Sequence, residues 1–316
     1  MKVIVVTGCL GLIGSYITRM CLRQDWKVLG IDKCTYAANQ DLICEFKKHK
    51  NFSFLKEDIA SLKYLPDCDY VINLAAESHV GNSIVDSNDF LHSNINGVKN
   101  LLDLIRNKQK NVFNQPVLLH FSTDEVYGDI VEGEHFETDA LNPSNPYSAS
   151  KAAAEMLINA WARTYNVNYV IVRPTNNYGV NQYPEKLIPI SVKALELGKR
   201  IKLHNEGEPV RNWLHAEDTA EAVLTIINSG KVNEIFNISG NLEQKNKTTV
   251  QKIINAYFGK ENSIESYVDL EHTREGQDIR YSLNDIKLRQ LGWKPQKQFD
   301  EEIKNIVNFY KINFRW

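Results

Sequence analysis

The chain has 316 residues, of which 43% are hydrophobic and 24% charged, with a formal net charge of −2 and a pI near 6.5. That is enough chain for one large or two modest globular domains. The charge balance excludes bulk attraction to nucleic acid or an anionic membrane, and the basic run Lys47-Lys48-His49-Lys50 reads as a solvated face.

Apolar runs fall short of the ~18 residues that span a bilayer. Met1–Val6 is too short for a signal h-region, so a cytoplasmic protein is expected. Cys9, Cys21, Cys34, Cys44 and Cys68 are odd in number and make no Cys-x-x-Cys pair. They read as reduced thiols without a metal site.

Six short apolar runs recur along the first two-thirds: Val3–Thr7, Lys27–Asp32, Phe52–Lys56, Tyr70–Leu74, Val117–Ser122 and Tyr169–Arg173. Runs of this length, rich in Val, Ile, Leu and aromatics, are those of buried parallel strands. Helix-period segments lie between them, including Leu12–Gln24, Asn94–Lys108 and Ser150–Tyr165. The alternation predicts an α/β fold, a doubly wound parallel sheet with helices on both faces. Beyond residue 175 prolines and polar turns multiply, which predicts a smaller mixed α/β lobe over 176–316. Phe236-Asn237-Ile238 resembles one more buried strand, so part of 210–240 is expected to return to the first domain, 1–175.

Gly8, Gly11 and Gly14 follow the first strand and open the first helix, spaced G-x-x-G-x-x-G. Glycines there permit a tight turn, approach of backbone to a pyrophosphate and close helix–strand packing. The helix N-terminus favours the phosphates, so the first domain reads as a Rossmann dinucleotide-binding unit. Asp32 closes the second strand, where a carboxylate accepts hydrogen bonds from the adenosine ribose and repels a 2′-phosphate. NAD is therefore expected over NADP, although Lys33 beside it argues the other way.

Tyr147 and Lys151 stand four apart, on one face of a helix. An ammonium beside a phenol lowers its pKa and makes it a base. The fifth strand ends in Ser122-Thr123-Asp124-Glu125, at the end of the sheet where ligands bind. Thr123 is placed to hydrogen-bond the hydroxyl that Tyr147 deprotonates, and Asp124-Glu125 is an adjacent acid pair.

With these residues the chain resembles the nucleotide-sugar 4,6-dehydratases of the extended short-chain dehydrogenase/reductase superfamily, most closely those acting on dTDP-glucose. The resemblance also runs through Asp32–Ala37, Leu74–Val80, Asn176–Gly179, Pro184–Pro189, Arg211-Asn212-Trp213 and Leu291-Gly292-Trp293. It implies that Tyr147 takes the C4 hydroxyl proton as NAD oxidises C4. Glu125 then removes the C5 proton, Asp124 protonates the departing C6 hydroxyl, and the hydride returns to C6. It further implies cofactor contacts from Leu12, Ile13, Lys33, Thr35, Asp58, Ile59, Leu74, Ala75, Ala76, Ser78, Ser93 and Asn177. Substrate contacts are implied for His79, Asn176, Lys186, Leu187, Lys202, His204, Arg211, Asn246 and Arg274, and a homodimer for the assembly.

The chain departs from the family pattern at Gly81-Asn82, where an Asp-Arg pair is usual, and at Arg274-Glu275-Gly276-Gln277-Asp278. The nucleotide base and the C2 substituent of the sugar stay open on these residues. So do two other readings: a nucleotide-sugar 4-epimerase, which needs no Asp124-Glu125, and a silent nucleotide-sugar-binding protein.

Overall fold

The computed structural model describes residues 1–108, 115–240, 242–272 and 278–313. Seven parallel strands form the main sheet: β1 (Val3–Thr7), β2 (Lys27–Asp32), β3 (Phe52–Lys56), β4 (Tyr70–Asn73), β5 (Val117–Phe121), β6 (Tyr169–Pro174) and, later in the chain, β10 (Glu234–Ile238). Their order is β10-β6-β5-β4-β1-β2-β3. The order reverses between β1 and β4, which opens a crevice at their carboxyl ends.

The six runs expected as strands match the observed ones to within a residue at each end. Both faces of the sheet are buried. Ile4, Val6, Ile72 and Leu119 pack on one side with the helices Leu12–Arg23 and Ala216–Ser229. Val5, Ile31, Val71 and Leu118 pack on the other with Gly97–Lys108 and Pro146–Tyr165.

Two helix starts differ from the sequence reading. The helix expected from Ser150 begins at Pro146, because Asn145 and Ser148 cap each other reciprocally and Pro146 sits in the first turn. Tyr147 thus lies on the first turn of the helix that carries Lys151. The helix expected from Asn94 is α-helical only from Gly97, after a wider π turn over Leu91–Asn96.

The remaining strands are short. β7 (Asn176–Tyr178), β9 (Val210–His215) and β11 (Glu243–Lys245) form one sheet, and β8 (Ile201–His204) pairs with β12 (Val268–His272). A separate apolar core fills this lobe, built from Tyr178, Ile188, Trp213, Ile253, Phe299 and Ile303. After β9 the chain re-enters the first body through Ala216–Ser229 and β10. Among the described residues no helix is long and apolar enough to cross a membrane.

A buried ion pair ties the Pro146–Tyr165 helix to the sheet. Arg173 on β6 donates to both oxygens of Glu155, at 3.0 and 2.5 Å, and to Tyr127 Oη at 2.5 Å. Both charged side chains are at most 3% exposed. Removing one partner of such a pair strands the other charge. Glu155→Gln is predicted to lower the unfolding free energy by roughly 3–5 kcal/mol, read by denaturant titration.

Candidate active site

The glycine turn forms one wall of the crevice. Gly8 has φ +67°, and a Cβ on it would stand 2.7 Å from Ala75 N and 2.9 Å from Leu74 O. A Cβ on Gly14 would stand 2.0 Å from Gly8 O. Gly11 is different: its nearest neighbour would be Gly8 O at 3.4 Å, an ordinary contact. The protein itself does not need a glycine at 11, so the missing side chain leaves room for a ligand. No side-chain hydrogen bond caps the Leu12–Arg23 helix, and its first N–H groups are available to an anion.

Asp32 accepts Leu10 N at 3.0 Å on one oxygen and Cys34 N at 2.8 Å on the other. The carboxylate is thereby aimed along the cleft. Lys33 is occupied elsewhere: its ammonium lies 2.7 Å from Ser93 Oγ and 3.2 Å from Glu77. The Lys33 ammonium, though it still bears on Asp32, is thus already engaged by other groups. A 2′-phosphate would meet roughly 4 kcal/mol of repulsion per carboxylate at ~4 Å and an effective dielectric of ~20.

The cleft measures about 330 Å³, within the range of small-molecule sites. Every residue expected to contact a cofactor lines it, from Gly8, Gly11, Leu12, Ile13 and Gly14 through Asp58, Ile59, Ser78 and Ser93 to Asn177. So do Thr123, Asp124, Glu125, Tyr147 and Lys151, and of the expected substrate residues Asn176 and Lys186.

Among the described residues, the other expected substrate residues lie outside this lining. His79 caps the Val80–Val85 helix, its ring accepting Asn82 N at 3.1 Å. Leu187 opens the Leu187–Glu196 helix. Lys202 and His204 are on the exposed face of β8. Arg211 donates to Val210 O and Asp278 O, and Asn246 begins the Asn246–Phe258 helix. Arg274 lies outside the described residues. Sequence reasoning missed Glu77, Ser122, Thr175 and Gln182, all of which line the cleft. Ser122 was within reach, standing directly before Thr123.

Three buried polar atoms in this lining have no hydrogen-bond partner in the protein: Ser122 Oγ, Asp124 Oδ2 and Asn176 Oδ1. Such groups are costly unless a ligand or water satisfies them. Thr123 Oγ1 donates to the other Asp124 oxygen at 3.0 Å, and the Asn145 amide donates to Glu125 at 3.4 Å.

The two carboxyls are poised differently. Burial pushes Asp124 up to about 7, and the Glu125 charge adds to the push. Burial also raises Glu125, but the charge of Arg211, the Asn145 hydrogen bond and Lys186 pull it back. Burial thus raises both carboxyls, and the two differ in what surrounds them: Glu125 faces the cations Arg211 and Lys186 and the Asn145 amide, Asp124 the Thr123 hydroxyl and the Glu125 charge.

Lys151 donates to Phe121 O at 2.5 Å, and burial lowers its ammonium to about 8. The expected lowering of the Tyr147 phenol is not seen. Burial and the negative charges of Glu125 and Asp124 push it up, against a Thr123 hydrogen bond that works the other way. Desolvation is the largest cause, and the Lys151 ammonium is engaged by Phe121 O.

A glycine-turn dinucleotide crevice with a Tyr–Lys pair on the helix after the fifth strand defines the extended short-chain dehydrogenase/reductase class. Within it, the GDP-mannose 4,6 dehydratase family model matches residues 5–306, and the chain belongs to that family. The dTDP-glucose 4,6-dehydratase of Haemophilus influenzae is 39% identical, with 98% of each chain covered. The structure of DesIV, the dTDP-glucose 4,6-dehydratase of Streptomyces venezuelae, with NAD and dTDP bound, superposes with a TM-score of 0.90. It is 33% identical, covering 99% of this chain and 98% of that one. A UDP-N-acetylglucosamine 4-epimerase of Methanobrevibacter ruminantium superposes with a TM-score of 0.86 at 25% identity, covering 98% of both chains.

The glycines separate folding from binding. Gly14→Ala is predicted to lower the melting temperature sharply, because its Cβ has no space. Gly11→Ala is predicted to keep the wild-type melting temperature, both being read by thermal denaturation.

Proposed function

We propose that the protein dehydrates dTDP-glucose to its 4-keto-6-deoxy product with NAD as a bound, recycled cofactor, a hydro-lyase reaction. The observation that carries this reading is the adjacent pair Asp124 and Glu125 in the cleft beside Tyr147, one hydrogen-bonded by Thr123 and the other by Asn145. Elimination of water needs an acid and a base at once, and pairs of titratable groups pushed apart in pKa are how enzymes supply them. A 4-epimerase has no use for the pair.

The glycine turn and the Leu12–Arg23 helix would hold the pyrophosphate of NAD, and Asp32 the adenosine ribose. NAD brings the hydride acceptor and a positive charge near the phenol. Tyr147, positioned by Lys151 and Thr123, would accept the C4 hydroxyl proton. Glu125 would take the C5 proton, made acidic by the adjacent ketone, and Asp124 would protonate the departing C6 hydroxyl.

Residues 1–175 would serve the cofactor and 176–316 the nucleotide, with the Ala216–Ser229 helix and β10 belonging to the first body. Arg211 and Lys186 supply cations for a diphosphate. Asn176 and Asn246 each present a buried amide oxygen without a protein partner. Leu187, His79, Lys202, His204 and Arg274 are the outer candidates. The assembly would be a homodimer, since two-fold dimers are the commonest oligomers. Light scattering at micromolar concentration is expected to give the dimer mass, and a monomer mass would remove that part of the proposal.

The test of the chemistry is single turnover with dTDP-glucose, following NADH absorbance and product mass. Glu125→Gln is expected to retain C4 oxidation and to lose ~10²–10⁴-fold in release of water. Asp124→Asn should slow water loss by a similar factor, and Tyr147→Phe should abolish the NADH transient. Because Asp124 must hold its proton to donate it, elimination should fall as pH rises through about 7. Carboxyl variants that release water at the wild-type rate would sink the assignment.

A further inference from the structure

Asp278 lies 134 residues from Ser144 in sequence, yet Ser144 Oγ donates to Asp278 Oδ2 at 2.6 Å. Tyr281 Oη donates to the same oxygen. The Asp278 side chain is buried, with the residue only 5% exposed. The Ser144 hydroxyl also accepts from the Asn145 amide at 3.4 Å, and that amide donates to Glu125. A continuous chain of side chains therefore runs Tyr281–Asp278–Ser144–Asn145–Glu125.

The Asp278 end of this chain is anchored. Asp129 Oδ1 accepts the backbone N–H of Ile279 at 2.6 Å and of Arg280 at 3.2 Å. Val210 N donates to Ile279 O at 2.8 Å, and Arg211 donates to Asp278 O at 3.1 Å while its guanidinium lies 4.9 Å from the Tyr281 ring centroid.

We propose that Asp278 is a positioning residue for the elimination, holding the Ser144–Asn145 turn against Glu125 and placing a second negative charge near it. This rests on the reading of Glu125 as the C5 base. Five other titratable or charged groups bear on Glu125: Asp124, Tyr147, Tyr281, Arg211 and Lys186. Arg211 and Lys186 draw Glu125 towards the ionised, weakly basic form. Asp278 opposes them and raises its proton affinity. A base buried beside a guanidinium with no such counterweight would ionise readily but pull weakly on a carbon-bound proton.

Both donors reach one oxygen of Asp278, so Asp278→Asn can accept the same two hydrogen bonds through its amide carbonyl while losing the charge. In this variant the acid limb of the elimination's pH–rate profile, measured as deuterium incorporation at C5 from heavy water, is expected to move to lower pH. The elimination rate at pH 7 should fall by roughly tenfold or less, well short of the ~10²–10⁴-fold expected for loss of the base itself. The transient NADH of C4 oxidation should keep its rate, and Asp278→Glu should return the limb towards its wild-type position.

An Asp278→Asn protein with a lowered melting temperature but an unmoved acid limb would overturn the proposal, because a merely structural residue behaves that way. Should that variant fail to fold, Ser144→Ala cuts the link to the turn. It is expected to slow elimination and spare C4 oxidation, and wild-type elimination in it would overturn the proposal as well. Absence of water loss in the wild-type protein would instead reject the reading of Glu125 on which this rests.

Discussion

Everything at the site depends on two adjacent carboxyls held out of water at the end of β5. Asp124 is 3% exposed and one of its oxygens has no partner in the protein. Leaving a carboxylate in such a place is expensive, and burial accordingly raises the proton affinity of both members. The cations near the pair, Arg211 and Lys186, both come from the second lobe. The charges of these second-lobe residues pull Glu125 back against the rise that burial causes.

The same economy of charge is visible elsewhere. Arg173 and Glu155 sit buried beneath the cleft, fully hydrogen-bonded to each other and to Tyr127. Lys33, a residue that in isolation would welcome a phosphate, is drawn to Glu77 and Ser93. Three buried polar atoms that lack a partner among the described residues, on Ser122, Asp124 and Asn176, lie in the cleft lining. On the proposed mechanism, discrimination between dehydration and epimerisation would reduce to Asp124 and Glu125, because the crevice, Tyr147 and Lys151 would serve either reaction.

Much of the fold could be read from the sequence because parallel strands buried on both faces are written as short apolar runs. β1 to β6 were legible for this reason. β7, β8, β11 and β12 were not: they are three to five residues long and half polar, so they carry no periodic signal. The start of the catalytic helix was set four residues late, since Pro146-Tyr147-Ser148 has no apolar period and its order comes from a reciprocal cap. The residues expected at the cofactor all line the cleft, most of them near strand ends, while Glu77, Ser122, Thr175 and Gln182 of the same lining were missed. Contacts joining distant segments were invisible, among them Asp278 to Ser144 and Lys33 to Glu77. The upward direction of the Tyr147 shift was not legible because spacing reveals the neighbouring ammonium but neither the burial nor the Glu125 and Asp124 charges that raise the phenol.

The central claim is that hydride leaves C4 and returns to C6 after water has gone, all within one site. Its most direct test is turnover of dTDP-glucose carrying deuterium at C4, with the position of the label in the product read by nuclear magnetic resonance. The account predicts a 4-keto-6-deoxy product with deuterium at C6. Deuterium still at C4 of a product that has lost no water would contradict it and leave an epimerase.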